Sequence, residues 1–448
     1  MYSEKILNKL IGKNIAILGF GREGKSTYSF IRKHLKDMHL TIIDKNTVEI
    51  DDRNITVVTG ENYLDNLDQY DLIIKSPGIS LKDINYSKFI DKITSQLELL
   101  LEVDRENIIG ITGTKGKSTT TTLMYEVLKR QKDEVYLLGN IGIPVLDSIE
   151  DYTPNSTLVI EMSSHQLEFV KYSPHIAVIL NLFQDHLDHA GSLEHYHNNK
   201  MNIFKYQTED DYAIYSDDNE YLNKKMQEFD IKSTKYNVRF DNENVFGNAV
   251  RTNGKDVFIN NELVYKDEER KLIGDHNLKN IMFVLTISKI LNLDLEKAKE
   301  VILSFKGLKY RMEYIGTYHD IKYYNDTIAT IPDATENAVK AIKDVDTLIF
   351  GGLDRGIDYR EFIEFLKDST IKNLICMPST GTKIGRILEE VSNKNIKYAD
   401  NLEEANKLAL QYTTPGMSCL LSPSAASYEY FKNFEEKGAA FEKIVKKM

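Results

Sequence analysis

Cysteine, long apolar runs and basic clusters are scarce in this sequence, and each scarcity excludes a class of protein. The 448 residues contain two cysteines, Cys376 and Cys419, which lie far apart and have no metal-ligand spacing. So few cysteines are typical of a reducing compartment, and we expect a cytoplasmic protein. No apolar run approaches the roughly 18 residues of a membrane span, so no membrane partner is expected. The opening stretch MYSEKILNKLIGKN interrupts its apolar positions with charges, which does not favour a signal peptide.

Positive charge is also in short supply. Lys and Arg number 57 against 68 Asp and Glu, the formal net charge is -11, and no long basic run is present. Because nucleic-acid-binding proteins collect phosphates on basic patches, we expect no nucleic-acid partner. The length exceeds what one core organises and suggests about three domains of roughly 150 residues each.

Apolar runs that end in glycine-rich turns are what the chain has in abundance. Near the N-terminus, NIAILGFGREGKST predicts a buried strand over residues 15–18 that turns at Gly19 into a helix from about Gly24. Further strands are predicted in LTIID, which ends at Asp44, and in DLIIKSPGIS, which ends in a Pro-Gly turn. Because strands alternate with helical patterns, this part predicts a parallel, doubly wound sheet.

The same alternation restarts twice along the chain. NIIGITGTKGKS, EVYLLGN, STLVIEMSS and HIAVILNLF lack period-two alternation, as expected of buried parallel strands. Between about 231 and 265, shorter pieces surround the turn signal Asn253-Gly254, which predicts a small antiparallel insertion. A third unit has strands in IKYYND, DTLIFGG, NLICMPS and SCLLSPS, and the domain boundaries are predicted near 95 and 308.

The stretch GITGTKGKSTTTTL joins an apolar strand to a helix-like segment. It resembles a phosphate-binding loop, in which the backbone N–H groups of residues 114–118 point at a phosphate from the start of a helix. Lys117 would neutralise the β- and γ-oxygens, and Ser118 or Thr119 would bind Mg²⁺. The spacing departs from G-x4-GKS, since Ile111 stands where the first glycine is expected, so a plain flexible turn is the alternative.

Two further stretches allow both a functional and a plain interpretation. GFGREG fits the dinucleotide fingerprint, and Asp44 follows at about the spacing that suits a ribose or base, but a tight strand–helix turn also needs these glycines. IEMSSHQLE places Glu161 at a strand end, where a carboxylate reaches a metal beside the phosphate loop. The alternative is an exposed glutamate.

Histidines cluster in NLFQDHLDHAGSLEHYHNNKMNIF. His186, His189, His195 and His197 suggest zinc, but no cysteine accompanies them and loop histidines are common. His186 follows a strand and is better placed as the single imidazole ligand of an oxygen-rich Mg²⁺ site. Lys200 lies on a helical segment and, from spacing alone, is interpreted as solvated.

The third unit also places polar groups at strand ends. YYNDTIAT ends a strand at Asp326, and FGGLDRG ends another with a glycine turn beside Arg355. Ligands bind at the carboxyl ends of strands in open α/β sheets, although turn chemistry alone explains each segment. LSPSAASYEYFKNFEEKG is consistent with a strand followed by an amphipathic helix.

Taken in order, TGTKGKST, EMSSHQLE, DHLDH, GDHNLKN, YRMEYIG and LSPSAASYEYFKNFEEKG resemble the Mur ligase family, which joins amino acids to the cytoplasmic cell-wall precursor. The last segment resembles the glutamate-adding branch. The resemblance implies an α/β fold of three domains: a Rossmann-like UDP-binding domain over 1–95, a central P-loop ATP-binding domain over 96–307, whose parallel sheet carries the small antiparallel insertion, and a C-terminal Rossmann-like amino-acid-binding domain over 308–448.

The resemblance further implies an ATP-dependent ligase that adds D-glutamate to UDP-N-acetylmuramoyl-L-alanine in peptidoglycan precursor synthesis. ATP phosphorylates the substrate carboxylate, and the amino group of glutamate attacks the acyl phosphate to give an amide, ADP and phosphate. Phosphorylation supplies the leaving group that a carboxylate lacks, so catalysis is mostly positioning and charge stabilisation. ATP, two Mg²⁺ ions and a monomeric chain are expected.

Residue roles follow from matching positions in the family motifs. The resemblance implies that Ser118 and Glu161 hold one Mg²⁺ and that His186 and Lys200, as a carbamylated lysine, hold a second. The catalytic set is Lys117, Glu161, His186 and Lys200. The ATP-binding set is Gly113, Thr114, Lys115, Gly116, Lys117, Ser118, Thr119, Asn277, Asn280, Arg311 and Asp326. The UDP-substrate set is Gly19, Phe20, Asp44, Gly78, Asn140, Ser163 and Gln166. The amino-acid set is Arg355, Ser427, Tyr428 and Phe434.

The chain departs from the family pattern around the amino-acid carboxylates. Ile328 replaces a lysine that is common in this branch, and Arg355 stands where a second lysine is expected, so that pocket is altered. The stretch DTIATIPDAT also resembles a related branch that adds L-glutamate, which stays an alternative. Lys115 and Tyr310 replace asparagine and histidine without removing a required chemical group.

The residues that the chain contains disfavour two further functions. A folylpolyglutamate synthase starts directly at the ATPase domain, whereas this sequence places a nucleotide-binding unit first. A non-catalytic nucleotide-binding regulator has no need of Lys117, Glu161, His186 and Lys200 together.

Overall fold

A computed structural model describes residues 2–141, 143–183, 192–241, 247–268, 270–272, 274–354, 357–427 and 431–448. The chain divides into two compact units, Met1–Phe305 and Lys306–Met448. In the described ranges the first unit contains two β-sheets and the second contains one, each with helices packed on it, which confirms the predicted α/β class. Within those ranges no helix combines the length and the apolar character that crossing a membrane requires.

The first sheet is built from parallel strands. Its strands are β1 (Ile15–Leu18), β2 (Leu40–Asp44), β3 (Ile55–Thr59), β4 (Leu72–Lys75) and β5 (Ile93–Thr94), and the helices in this part are α1 (Tyr2–Leu10), α2 (Arg22–His34) and α3 (Gln96–Asp104). The order β3-β2-β1-β4-β5 places β1 at the centre, where its apolar residues are all buried. The winding changes direction between β1 and β4, which opens a crevice at their carboxyl ends.

The second sheet carries the loop that the sequence predicts to bind phosphate, at the end of one of its inner strands. Its strands are β6 (Ile108–Thr112), β7 (Val135–Gly139), β8 (Thr157–Glu161), β9 (Ile176–Ile179), β10 (Tyr212–Ser216), β11 (Thr234–Val238), β12 (Ala249–Thr252), β13 (Val257–Ile259) and β14 (Glu262–Tyr265). Its helices are α4 (Lys117–Lys129), α5 (Leu193–Lys205), α6 (Glu220–Glu228), α7 (Asp275–Ile290) and α8 (Leu295–Ser304). The order is β14-β13-β12-β11-β10-β9-β6-β8-β7, so β6 lies between two parallel neighbours, β8 and β9.

The predicted hairpin forms the edge of this sheet. Asn253 and Gly254 turn the chain between β12 and β13, which pair in antiparallel fashion. Gly254 has a φ of +93°, and Asn253 Oδ1 accepts a hydrogen bond of 2.7 Å from the Asp256 N–H. The hairpin prediction is confirmed, and the three short strands β12, β13 and β14 extend the central sheet rather than forming a separate body.

The second unit contains a mixed sheet. Its strands are β15 (Glu313–Tyr318), β16 (Ile321–Asn325), β17 (Val345–Phe350), β18 (Asn373–Cys376), β19 (Asn395–Tyr398) and β20 (Ser418–Leu421), and its helices are α9 (Pro332–Ala341), α10 (Arg360–Asp368), α11 (Thr380–Val391), α12 (Leu402–Tyr412) and α13 (Phe434–Val445). The order is β15-β16-β20-β17-β18-β19, and only the β15–β16 pair is antiparallel among the described strands. Short 3-10 helices elsewhere in the chain span Leu67–Gln69, Tyr86–Lys88, Ile90–Lys92 and Arg105–Asn107.

Apolar packing explains the division into two units. Ile15 of β1, Leu100 of α3 and Ile179 of β9 belong to one buried cluster, so the first two sheets share a core. In the second unit, Leu348 and Ile349 of β17 face two different clusters, so helices cover both faces of that sheet. Full burial of one such side chain contributes about 1.5–3 kcal/mol, which makes both cores strongly stabilising.

Both cysteines lie in the second unit's sheet. Cys376 ends β18 and Cys419 lies on β20, and neither side chain has measurable exposure. Burial raises the pKa of both thiols. They are free, buried thiols, in agreement with the few-cysteine pattern of the sequence.

Gly24 makes the first strand–helix turn as tight as it is. A Cβ atom at Gly24 would lie 2.0 Å from the Gly19 carbonyl oxygen, whereas a Cβ atom at Gly21 would have nothing within 4 Å. We expect Gly24→Ala to lower the free energy of unfolding by about 1–3 kcal/mol because the turn must open. Gly78→Ala, where a Cβ atom would also have nothing within 4 Å and φ is not positive, is the matched control and is expected to change it by less than about 0.5 kcal/mol. Urea unfolding of both variants measures the difference, and equal stabilities would contradict this account.

Candidate active site

The loop between β6 and α4 depends on two glycines with positive φ. Gly113 has a φ of +154° and Gly116 a φ of +86°, conformations that residues with a side chain rarely adopt. A Cβ atom at Gly116 would lie 2.7 Å from Asn280 Oδ1, so the loop passes close to α7. Helix α4 begins immediately afterwards at Lys117, and its first N–H groups have no partner within the helix. Such amides form an anion-binding site.

Asn181 holds the loop from the neighbouring strand. The Thr114 N–H donates to the Asn181 backbone oxygen at 3.0 Å, and the Lys115 N–H donates to Asn181 Oδ1 at 2.8 Å. Asn181 Nδ2 donates in return to the Lys115 carbonyl at 3.0 Å. The sequence analysis missed Asn181, and its place directly after the strand HIAVIL is the signal that could have revealed it.

Lys117 curls back over the loop that precedes it. Its Nζ donates to the Gly113 carbonyl at 2.9 Å and to the Thr114 carbonyl at 3.1 Å. An ammonium group has three donors and is attracted to phosphate oxygens, which can compete with these carbonyls. Ser118 follows in the first turn of α4 and is half-buried, and Thr119 is buried.

Glu161 presents a buried carboxylate oxygen without a hydrogen-bond donor. The side chain is 1% exposed, and Oε1 accepts a hydrogen bond of 2.7 Å from Asn140 Nδ2. Oε2 is buried and has no hydrogen-bond partner among the described residues. The pairing of Ile111 with Glu161 places this carboxylate beside the end of β6, where the phosphate loop begins. A buried carboxylate oxygen fits a divalent cation, and the alternative of an exposed glutamate is wrong.

Lys200 is deeply buried, so its interpretation as a solvated lysine is wrong. Its exposed fraction is 1%, and its Nζ lies 3.5 Å from Thr112 Oγ1 at the end of β6. The ammonium also lies 4.8 Å from the centre of the Tyr196 ring, whose hydroxyl donates to Thr114 Oγ1 at 3.3 Å. Helix α5 therefore places Lys200 at the base of the phosphate loop.

The two described histidines of the predicted cluster contact different partners. His195 Nε2 lies 3.1 Å from Glu168 Oε1, and His197 Nε2 lies 3.2 Å from the Phe183 backbone oxygen. Burial lowers the pKa of His197. Among the described residues, neither histidine belongs to a group of three metal-ligating side chains. The residues His186, His189, Arg355 and Tyr428, singled out in the sequence, lie outside the described residues.

A cavity of about 540 Å³ opens at the carboxyl ends of β1 and β4. Gly19, Asp44, Gly78 and Asn140 line it, which brings together four of the residues matched to the UDP substrate. The Phe20 N–H donates to Asp44 Oδ2 at 2.7 Å and fixes that carboxylate at the cavity wall. Asn140 therefore contacts both the cavity and Glu161.

Ser163 and Gln166 connect to the same cavity through a residue that the sequence analysis missed. Gln166 Nε2 donates to Glu23 Oε1 at 2.8 Å, and Glu23 lines the cavity. The Ser163 N–H donates to Gln166 Oε1 at 3.0 Å and holds the amide in place. Burial raises the pKa of Glu23, and the Gln166 hydrogen bond opposes that shift. The acidic position inside GFGREG was the available signal for Glu23.

Asn277 and Asn280 lie together at the start of α7. Both are largely buried, and Asn280 Nδ2 donates to Asn277 Oδ1 at 3.1 Å. Since Asn280 Oδ1 faces Gly116, this amide pair stands next to the phosphate loop.

In the second unit, Asp326 is a buried carboxyl group at the end of β16. The residue is 3% exposed. Its Oδ2 accepts a hydrogen bond of 2.7 Å from the Ser422 hydroxyl, and its Oδ1 accepts one of 3.1 Å from the Met312 N–H. Burial raises the pKa of Asp326 to about 7, while these hydrogen bonds and the charge of Arg311 oppose the shift.

Ser427 and Phe434 border another part of the second unit. Ser427 is 4% exposed, and its Oγ has no hydrogen-bond partner among the described residues. Phe434 begins α13, and its ring centre lies 6.4 Å from that of Tyr310. The Ile328 N–H donates to the Tyr310 carbonyl at 3.1 Å. Ile328, which stands where this branch commonly has a lysine, therefore lies next to Tyr310.

Family models match most of the chain. Residues 13–95 match the Mur ligase MurD-like N-terminal domain, 111–288 match the Mur ligase middle domain, and 310–425 match the Mur ligase glutamate ligase domain. This chain belongs to the Mur ligase family. The N-terminal match disfavours a folylpolyglutamate synthase, in keeping with the sequence argument.

Mur ligase relatives of nearly full length carry one name. The UDP-N-acetylmuramoylalanine--D-glutamate ligase of a Geobacillus strain, WCH70, is 32% identical over 97% of this chain and 98% of its own. The ligase of the same name from Ligilactobacillus salivarius is 32% identical over 99% of this chain and 98% of its own.

Solved structures of Mur ligases share the fold. UDP-N-acetylmuramate-alanine ligase MurC from Thermotoga maritima aligns with a TM-score of 0.59 and 19% identity, over 97% of this chain and 99% of its own. MurF ligase from Thermotoga maritima, solved in complex with ADP, aligns with a TM-score of 0.56 and 18% identity, over 97% of this chain and 95% of its own.

Asp326 makes the stability of this Mur ligase depend on pH. Because its pKa is about 7 when folded against 3.8 for the ordinary carboxyl group, the native state binds more protons between these values. Stability is therefore expected to fall as pH rises through that window, at about 1.4 kcal/mol per pKa unit and by a few kcal/mol at most. Asp326→Asn is expected to lose less stability than the unsubstituted protein between about pH 5 and about pH 8, measured as urea midpoints.

The exposed Asp368 provides the control for this comparison. Asp368→Asn, on the same unit, is expected to follow the unsubstituted protein at both pH values. If Asp326→Asn also followed it, the buried carboxyl would not be the titrating group.

Proposed function

We propose that this chain is an ATP-dependent ligase that adds D-glutamate to UDP-N-acetylmuramoyl-L-alanine. The proposal rests chiefly on one observation: Asn140 joins a nucleotide-sized cavity to the buried carboxylate of Glu161, which lies beside the phosphate loop. The carboxylate of a substrate bound in that cavity would lie close to the terminal phosphoryl group of ATP, beside Glu161. The names of the near-full-length relatives support the D-glutamate substrate.

The chemistry requires activation of a carboxylate, which is a poor electrophile. Transfer of the γ-phosphoryl group forms an acyl phosphate, and the glutamate amino group then displaces phosphate to leave an amide. Lys117 and the first N–H groups of α4 supply positive charge where phosphoryl oxygens gather. We propose that the amide pair of Asn277 and Asn280 binds adenine, and the family match assigns Arg311 and Asp326 to ATP binding as well.

Magnesium, when bound, would spread the negative charge of the phosphates. Ser118 and Glu161 are the residues that would hold one ion, and the donor-less Glu161 oxygen supports this assignment. His186 and Lys200 would hold a second. An ammonium as buried as that of Lys200 is costly, and carbamylation would convert it into an anionic oxygen ligand.

The UDP-sugar would occupy the cavity at the end of the first sheet. Gly19 and Phe20 lie just before the start of α2, whose amides suit a diphosphate, and Asp44 suits the uridine. Gly78 and Asn140 also line this cavity. Ser163 and Gln166 would act through Glu23.

Glutamate would bind to the second unit. Ser427, with its buried hydroxyl lacking a described partner, and Phe434 support this assignment. Arg355 and Tyr428 are proposed from the family match. The stretch around Ile328 favours L-glutamate as the second candidate substrate, since it resembles the branch that adds that isomer.

The remaining proposals concern the organisation of the chain. We assign the UDP-binding domain to 1–95, the ATP-binding domain to 96–307 and the glutamate-binding domain to 308–448. We further propose a cytoplasmic monomer without nucleic-acid or membrane partners.

One assay separates the two substrate candidates. Purified protein with ATP, Mg²⁺ and UDP-N-acetylmuramoyl-L-alanine is expected to release phosphate with D-glutamate and not with L-glutamate. The control omits the UDP-sugar and is expected to show no release, because the acyl phosphate has no precursor. Release with only the L isomer would move the chain to the related branch, and release with neither would reject the ligase proposal.

Lys200 provides a second test of the proposed site. Lys200→Ala is expected to lower kcat by about a hundredfold or more, because a ligand oxygen is lost, and short carboxylates are expected to restore part of the rate. The matched control is Lys205→Ala, an exposed lysine on the same helix, which should keep the original rate. A Lys200→Ala variant with full activity would remove this residue from the metal site.

A further inference from the structure

A buried ion pair outside the site described above connects two of its parts. Lys75 Nζ lies 3.5 Å from Glu168 Oε2, and the two side chains are 3% and 8% exposed. The other Glu168 oxygen, Oε1, lies 3.1 Å from His195 Nε2. Burial lowers the pKa of Lys75, while the charges of Glu168 and Glu23 oppose that shift.

The members of this chain of contacts belong to three functional segments. Lys75 is the last residue of β4, directly before residues 76–78, which line the cavity. Glu168 follows Gln166, whose amide holds Glu23 of the cavity wall. His195 lies in the first turn of α5, the helix that carries Lys200.

Stability alone is a weak reason for such a pair. Desolvating two charges costs about as much as their attraction returns, and apolar replacements of buried pairs are often neutral or stabilising. Removing one partner, by contrast, leaves an uncompensated buried charge. Here the remaining charge of Lys75 or Glu168 would lie between the cavity wall and α5.

We propose that Lys75 and Glu168 are positioning residues that hold the loop of residues 76–78 against the segment between β8 and β9 and so preform the cavity for the nucleotide-sugar. This inference rests on the proposed function for the identity of the ligand. Without the Lys75 ammonium this contact is lost, and the loop is expected to withdraw from the cavity. None of the residues assigned to ATP binding belongs to this chain of contacts, so we expect ATP binding to be unaffected.

The test is a double-mutant cycle read by calorimetric titration with UDP-N-acetylmuramoyl-L-alanine. Lys75→Met is expected to raise the Kd by about tenfold or more, a coupling of ordinary size for a contacting pair. Glu168→Gln should weaken binding to a similar extent, and the double variant K75M/E168Q should bind about as weakly as either single variant, because the same contact is lost in all three. The KM for ATP is expected to stay within about twofold in all three variants.

Controls separate positioning from a general loss of folding. Lys88→Met, an exposed lysine in the same part of the chain, should bind the UDP-sugar as the unsubstituted protein does. A double variant that regains the original affinity would show that only an unpaired buried charge mattered, and it would overturn the inference, as would a Lys75→Met variant with an unchanged Kd. A parallel rise in the KM for ATP would do the same, since it indicates general disruption. Failure of the unsubstituted protein to bind the UDP-sugar would instead overturn the proposed function, and this inference with it.

Discussion

The hydrogen bond from Asn140 to Glu161 is the contact on which the proposed site depends. It fixes one carboxylate oxygen at 2.7 Å and leaves the other buried, with no donor among the described residues. A carboxylate held in this way is costly until a cation arrives. Because Asn140 also lines the cavity, one amide connects the cavity proposed for the nucleotide-sugar to the carboxylate proposed to hold a cation.

Parallel pairing brings the remaining groups to this contact. Strand β6 lies between β8 and β9, so the loop after β6 has Glu161 at the end of one neighbour and Asn181 just beyond the other. Gly113 and Gly116 allow the loop to turn tightly enough for these neighbours to reach it. The chemistry thus comes from residues far apart in sequence that share one edge of a sheet.

Much of this arrangement could be predicted because its signals are local. Buried apolar strands that end in glycine-rich turns can be recognised from the sequence alone. The residues that follow them lie at the carboxyl edge of the sheet, where ligands bind. Strand β3, ITVVT, has β-branched residues throughout but is a short, partly exposed edge strand, and it was missed; β10 was missed because acidic residues surround it. The burial of Lys200 had no local signal either, since it depends on Thr112 and Tyr196, and Asn181 needed the pairing of β6 with β9.

The two buried thiols have a practical consequence. Cys376 and Cys419 are the only cysteines of the chain, and both are enclosed in the second unit's sheet with raised pKa values. Alkylating reagents attack thiolates at accessible positions and would pass these two by. A cysteine introduced on the surface of each unit would therefore be the selectively labelled pair, and fluorescent dyes could follow the distance between the units during turnover without removal of any native residue.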